Sequence, residues 1–311
     1  IKESYLFVSK TAFERLKAHV IDYFRRGMML FYQNLTFMKK IDLSPLLVTY
    51  LSFPSHRIFC SAWRYAGGKV IGFTHGSSYC HCYMPLMYYD LNMVDLYVTS
   101  TQGHKKIVKQ AAKDFMLDHK IPNIIHLRNS TYKPLFSKLQ NNTPVNKVEK
   151  VMILGTLMLD YGYADAEVHP FASLYNDLKL IKILKKAGYY TIYKPRPETI
   201  HDAYGIFETY TDEVLTDRLE DVYHCADCFV FPSPFSTTFG FALLSNKPIV
   251  FINVKGYVCY PRALELLRKR CSVVKADAVD GKIVFNEQDV LDAIENSLEN
   301  INYDILHEFA F

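Results

Sequence analysis

The sequence predicts an α/β protein built from two Rossmann-like domains that face each other across a cleft. Three observations carry that expectation. Short apolar runs alternate with helical patterns from about residue 46 onward, and this alternation builds parallel sheets. The alternation comes as two successive series with a polar stretch between them. The chain, at 311 residues, has room for two domains of ordinary size with unstapled cores.

The elements follow in order. Residues 8–28 carry Phe13, Leu16, Val20 and Phe24 at helical spacing among Lys10, Arg15, Lys17, Arg25 and Arg26. This predicts an amphipathic helix packed on a sheet, its cations either solvated or touching an anionic membrane surface. A strand over 46–51, a helix over 55–65 stopped by Gly67-Gly68, and a strand over 69–74 come next. Further strands at 95–100 and 122–127 flank a helix from His104 to about 116. The polar residues 136–149, with Asn141-Asn142-Thr143-Pro144, read as a linker between an N-terminal Rossmann-like domain over 1–140 and a C-terminal one over 149–311. The second series gives strands at 150–154, 189–193, 213–216, 228–231, 249–253 and 271–275. Its helices fall at about 171–186, 217–224, 239–246, 261–270 and 288–298.

In an open α/β sheet, ligands sit beyond the carboxyl ends of the strands, so three strand ends draw attention. Thr74-His75-Gly76-Ser77-Ser78 places an imidazole beside flexible backbone, which suits a general base; a plain turn is the structural alternative. Lys194-Pro195-Arg196-Pro197-Glu198 sets two cations on backbone stiffened by prolines, a grip for phosphate or a solvated turn. Ser236-Thr237-Thr238 precedes a helix, so hydroxyls and free N–H groups together suit a phosphate, or Ser236 merely caps the helix. His81 and Asp160 are further candidates for base or sugar contact, as is Glu198.

Composition narrows the classes. Half the residues are apolar, 22% are charged, and the formal net charge is +4, which argues against a dedicated nucleic-acid binder and allows a local basic patch. No apolar run reaches the roughly 20 residues of a membrane span. Residues 1–15 do not read as a secretory signal, and the missing initiator Met suggests further domains upstream. The seven Cys, at 60, 80, 82, 225, 228, 259 and 271, lack a framework spacing. They read as reduced thiols of a cytoplasmic protein, peripheral at the inner face of a membrane at most. Cys225 with Cys228 has the spacing of half a zinc site and Cys80-His81-Cys82 could supply another half, but Cys228 opens an apolar strand and residues two apart project poorly onto one metal.

The run VFPSPFSTTFGFALLSNKPIVF resembles the donor-binding segment of GT-B glycosyltransferases. In retaining members acidic residues flank the Phe-Gly pair eight positions apart, and here Thr237 and Ser245 stand in those places. The chain is more similar to bacterial surface-carbohydrate transferases: capsule and lipopolysaccharide enzymes, sialyl and Kdo transferases, and CDP-glycerol glycerophosphotransferases. Thr74-His75-Gly76 matches their first motif, Tyr193-Lys194-Pro195-Arg196-Pro197 their second with Lys194 in place of His, and Ser236-Thr237-Thr238 their third. The resemblance implies transfer from a nucleotide-sugar donor, first choice CMP-linked Kdo or a sialic-type acid, to a polysaccharide or glycolipid acceptor. It implies His75 as base, Lys194, Arg196, Ser236, Thr237 and Thr238 on the donor, and Gly76, Ser77 and Ser78 near sugar or acceptor. Because the cations supply countercharge, the scheme requires no metal and no cofactor. A CDP-glycerol-type polyol-phosphate transferase and a non-catalytic nucleotide-binding module are the alternatives.

Overall fold

The structure, a computed structural model, describes residues 10–49, 51, 53–74, 85–115, 121–127, 132–141, 144–155, 170–197, 200, 205–233, 237–255, 259–280 and 282–309. Contacts gather the chain into two compact units. One comprises Ile1–Phe73, Leu86–Val98 and Ala112–Ile125, the other Thr74–Pro85, Thr99–Ala111 and His126–Phe311.

The first sheet has the order β1 (Leu46–Val48), β2 (Val70–Phe73), β3 (Leu96–Thr99), β4 (Asn123–His126), and β2 is parallel to both β1 and β3. Helix α1 (Lys10–Met38) lies on α2 (Pro54–Tyr65). Leu35 and Met38 are buried, and Gly27 faces Ile58 of α2. This corrects two expectations. The helix runs ten residues past 28, because Leu35 and Met38 continue its apolar stripe. Phe13, Leu16, Val20 and Phe24 do not pack on a sheet: they are 43–67% exposed. Helix α2 ends in a Schellman turn, in which Gly68 N–H bonds the Trp63 carbonyl and Gly67 N–H the Arg64 carbonyl, with Gly67 at φ +97°.

Helix α3 (Pro85–Met93), absent from the sequence reading, carries Asp90. The carboxylate is buried and accepts from the Leu51 N–H at 3.2 Å; burial pushes its pKa up to about 7, against the lowering effect of that bond. Helix α4 (Gln102–Phe115) starts two residues before the predicted His104, because Thr101 caps it by accepting from the His104 N–H at 3.1 Å.

The second sheet runs β11-β10-β9-β8-β5-β6-β7. Its parallel strands are β5 (Lys150–Leu154), β6 (Tyr190–Lys194), β7 (Glu213–Val214), β8 (Cys228–Phe231), β9 (Ile249–Val254) and β10 (Ser272–Val279). Strand β11 (Lys282–Val284) closes one edge antiparallel to β10. Counted from β5, the parallel strands follow the order 3-2-1-4-5-6 of a dinucleotide-binding sheet. The strands are near-continuous apolar runs because both faces are covered. On one face Val151, Ile153, Val230, Val250 and Ile252 meet Leu180 and Leu184 of α6 (Pro170–Lys186).

The first five residues of the predicted linker, 136–140, are helical. Helix α5 (Tyr132–Gln140) sets Phe136 against Tyr303, ring centroids 5.1 Å apart, and its Gln140 amide donates to the Leu244 carbonyl at 2.9 Å. The spacing of Leu135, Phe136 and Leu139 outweighs the polar composition that suggested a linker.

Candidate functional site

In this strand order the topological switch lies between β5 and β8, and ligands bind beyond the carboxyl ends there. Register fixes what stands at that edge. Leu154 pairs with Lys194, and Ile153 with both Tyr193 and Val230, so Leu154, Lys194 and Phe231 are level at the ends of β5, β6 and β8. Helix α8 (Thr237–Leu244) follows β8 and therefore starts on the same edge, two strand spacings, about 10 Å, from β6.

Lys194 is only 5% exposed. Among the described residues its ammonium meets the Pro195 carbonyl at 3.5 Å and pairs with no carboxylate. Burial lowers its pKa, with Glu220 and Asp217 pulling weakly the other way. A desolvated ammonium held at a strand end costs stability unless something anionic meets it. Arg196, half-buried, stands two residues on.

The end of β6 is fixed from behind. Tyr193 hydroxyl donates to the Asp177 carboxylate at 3.0 Å, both groups buried, and its ring stacks on Phe207 at 3.6 Å. Burial and the neighbouring carboxylate hold the phenol well above its ordinary pKa. Gly155, the first residue past β5, must be glycine: a Cβ would stand 2.5 Å from the Tyr193 hydroxyl oxygen and 3.1 Å from the Lys194 carbonyl. The backbones of β5 and β6 thus meet closely at the rim, and the Gly155 N–H donates to the Lys194 carbonyl at 2.8 Å.

Helix α8 is fixed from its far end. Arg270, fully buried at the end of α9 (Pro261–Arg270), donates to the carbonyls of Leu243 at 3.1 Å, Ala242 at 3.2 Å, Ser245 at 2.6 Å and Lys247 at 3.0 Å. Ser245 is likewise fully buried, its hydroxyl donating to the Ala242 carbonyl at 2.8 Å. It serves the helix end and not the rim.

Of the sequence candidates, the structure brings Lys194, Arg196 and Thr238 to one sheet edge, Thr238 standing half-buried in the first turn of α8. The side chain of Thr237 is not described, although its backbone begins the helix. His75, Gly76, Ser77, Ser78, His81, Asp160, Glu198 and Ser236 lie outside the described residues, as do Cys80 and Cys82. Close to the first of these, Thr74 Oγ1 and His104 Nδ1 are 3.1 Å apart, with His104 fully buried. The described cysteines Cys60, Cys225, Cys228, Cys259 and Cys271 form no disulfide, and among the described residues no group of acidic, His and Cys side chains is arranged to hold a metal.

Sequence reasoning missed Arg270, Tyr193 with Asp177, and His104. Arg270 had a signal, because it continues the stripe of Ala263, Leu266 and Leu267 on α9, a position that points inward.

Among solved structures, the chain is similar to the UDP co-structure of MnaA from S. aureus, with 13% identity and a TM-score of 0.51 over 91% of this chain and 73% of that one. The fold is that of the GT-B proteins. A putative UDP-N-acetylglucosamine 2-epimerase from Listeria monocytogenes matches at 11% identity, TM-score 0.47, over 91% and 73% of the two chains. KpsC from Thermosulfurimonas dismutans, a beta Kdo 2,7 transferase, matches at 12% identity, TM-score 0.28, over 67% and 78%. No protein-family model and no curated protein matches the sequence. No helix among the described residues is long and apolar enough to cross a membrane.

Proposed function

We propose that the chain is a glycosyltransferase that moves a sugar from a nucleotide-activated donor, first choice CMP-linked Kdo or a sialic-type acid, to a cell-surface polysaccharide or glycolipid. The observation that carries this reading is the buried ammonium of Lys194, paired with no carboxylate among the described residues, on the same edge as the start of α8, at the nucleotide-binding rim of a 3-2-1-4-5-6 sheet. Lys194 and Arg196 neutralise the donor phosphate, while the α8 N-terminus with Ser236, Thr237 and Thr238 hydrogen-bonds it.

His75 acts as general base. The acceptor hydroxyl gives its proton to the imidazole, and its oxygen bonds the anomeric carbon. The bond from that carbon to the donor phosphate breaks, the electron pair leaving with the nucleotide. Single displacement inverts the anomeric centre. The two cations supply the countercharge, so this scheme calls on no metal. A glycolipid acceptor brings the enzyme to a membrane surface.

Thermal-shift titration with CMP, CDP, UDP and GDP tests the reading, because a ligand of the folded state raises the midpoint by mass action. CMP is expected to give the largest shift, and Lys194→Met to remove it. Stabilisation by none of the four overturns a nucleotide donor. Since the similar MnaA structure holds UDP, preference for UDP keeps the enzyme class and changes the donor.

A further inference from the structure

The exposed large apolar side chains are unevenly spread. Of the twenty-one among the described residues, ten lie on α1. The C-terminal half of this helix packs on α2, with Phe31 against Tyr65, and buries Leu35 and Met38, and the same stripe continues uncovered toward the N-terminus. At 3.6 residues per turn, Tyr23, Leu16, Val20, Phe13, Phe24 and Ile21 span an arc of roughly 160°, and each is 43–67% exposed. That arc is far wider than the seam of a two-stranded coiled coil, and it has the breadth of a helix lying in an interface. Exposed patches of this kind mark interaction sites.

Charge selects the partner. Arg15, Lys17, Arg25, Arg26, Lys39 and Lys40 are set against Glu14 and Asp22 over the described helix and its end, and Asp22 is already paired with Arg26 at 2.7 Å. On the helical wheel Lys17 falls within the apolar arc, between Phe24 and Ile21, and Arg25 lies just beyond Ile21, with Glu14 between them. A second copy of the chain would bring the same cations to the same face, whereas a surface of anionic headgroups over acyl chains complements both the charge and the apolar arc.

We propose that the N-terminal half of α1 docks in the plane of an anionic lipid surface, its apolar arc inserted at the headgroup boundary and Lys17 and Arg25 on lipid phosphates. The inference deepens the glycolipid-acceptor reading and rests on it for its biological sense only. Vesicle binding is measured without donor or acceptor, so either idea can fail alone.

The test is co-sedimentation of the full chain with phosphatidylcholine vesicles, with and without about one-third phosphatidylglycerol, at low and high salt. Binding is expected on anionic vesicles only, weakening with salt. Lys17→Ala with Arg25→Ala should lower it roughly twenty-five-fold, about fivefold per cation lost. Leu16→Ser with Phe24→Ser should abolish it, with an unchanged circular dichroism spectrum showing that the variant folds. Equal binding to neutral vesicles, no binding to either, or indifference to both double variants overturns the proposal. So does a dimer in sedimentation velocity that Leu16→Ser with Phe24→Ser dissociates, which gives the face to a second copy.

Discussion

Thr74 Oγ1 lies 3.1 Å from Nδ1 of His104, a fully buried imidazole in the first turn of α4. The bond anchors the last described residue before His75 to the helix that follows β3. His104→Ala removes a packed ring and a buried partner, so we expect a loss of about 2–4 kcal/mol in urea unfolding. His75→Ala should leave stability within about 0.5 kcal/mol while transfer falls at least about a hundredfold. Near-full turnover by that variant removes His75 from the mechanism.

Lys194 separates function from stability. Its burial, outweighing the pull of Glu220 and Asp217, disfavours the charged form, so Lys194→Met should unfold at the same temperature or a higher one while nucleotide affinity drops about tenfold or more. Calorimetric titration beside a melting curve checks both arms. A variant that loses stability and keeps affinity assigns Lys194 to the fold.

Asp90 makes the first unit sensitive to pH. Its folded-state pKa, near 7, lies above the ordinary value of 3.8. The group therefore contributes stability that is fully present below about pH 4 and is lost as pH rises through 7. The three-unit gap corresponds to something on the order of 4 kcal/mol. Asp90→Asn can keep the bond from Leu51 N–H, and should flatten the stability profile between pH 4 and 7 and raise it above pH 7. Superimposable profiles for the two proteins refute this.

Arg270 is expected to be the costliest side chain to remove. Arg270→Met strands four carbonyls that the guanidinium now satisfies, so a loss of about 3–5 kcal/mol should appear in denaturant unfolding. Arg270→Lys recovers only part of it, since one ammonium lacks the fork. A loss under about 1 kcal/mol means the carbonyls find other donors.

Much of the second sheet was legible. Lys150–Leu154, Cys228–Phe231 and Pro261–Arg270 fall on the predicted bounds, because uninterrupted apolar runs and a helix-starting proline leave little choice of register. The strand order was not, since it is set by pairings between distant segments, and with it went the position of the switch between β5 and β8. Helix α3 was missed because PLMYYDLNM has no amphipathic period. The β10–β11 hairpin had a local signal, Asp280-Gly281, and Asp280 takes the positive φ of 50° that such turns require. Charge at the rim was legible as residue type. What could not be read was that Lys194 is desolvated, a property of the neighbours that three other strands bring.

The carbonyl grip of Arg270 reaches beyond its own end of α8. Peptide dipoles leave a helix partly negative at its carboxyl end and partly positive at its amino end, and here a permanent cation neutralises the first from inside the protein. Helix α8 thus resembles a battery with one terminal already wired, its other terminal on the sheet edge where β6 ends at Lys194, an alignment settled when the chain folded.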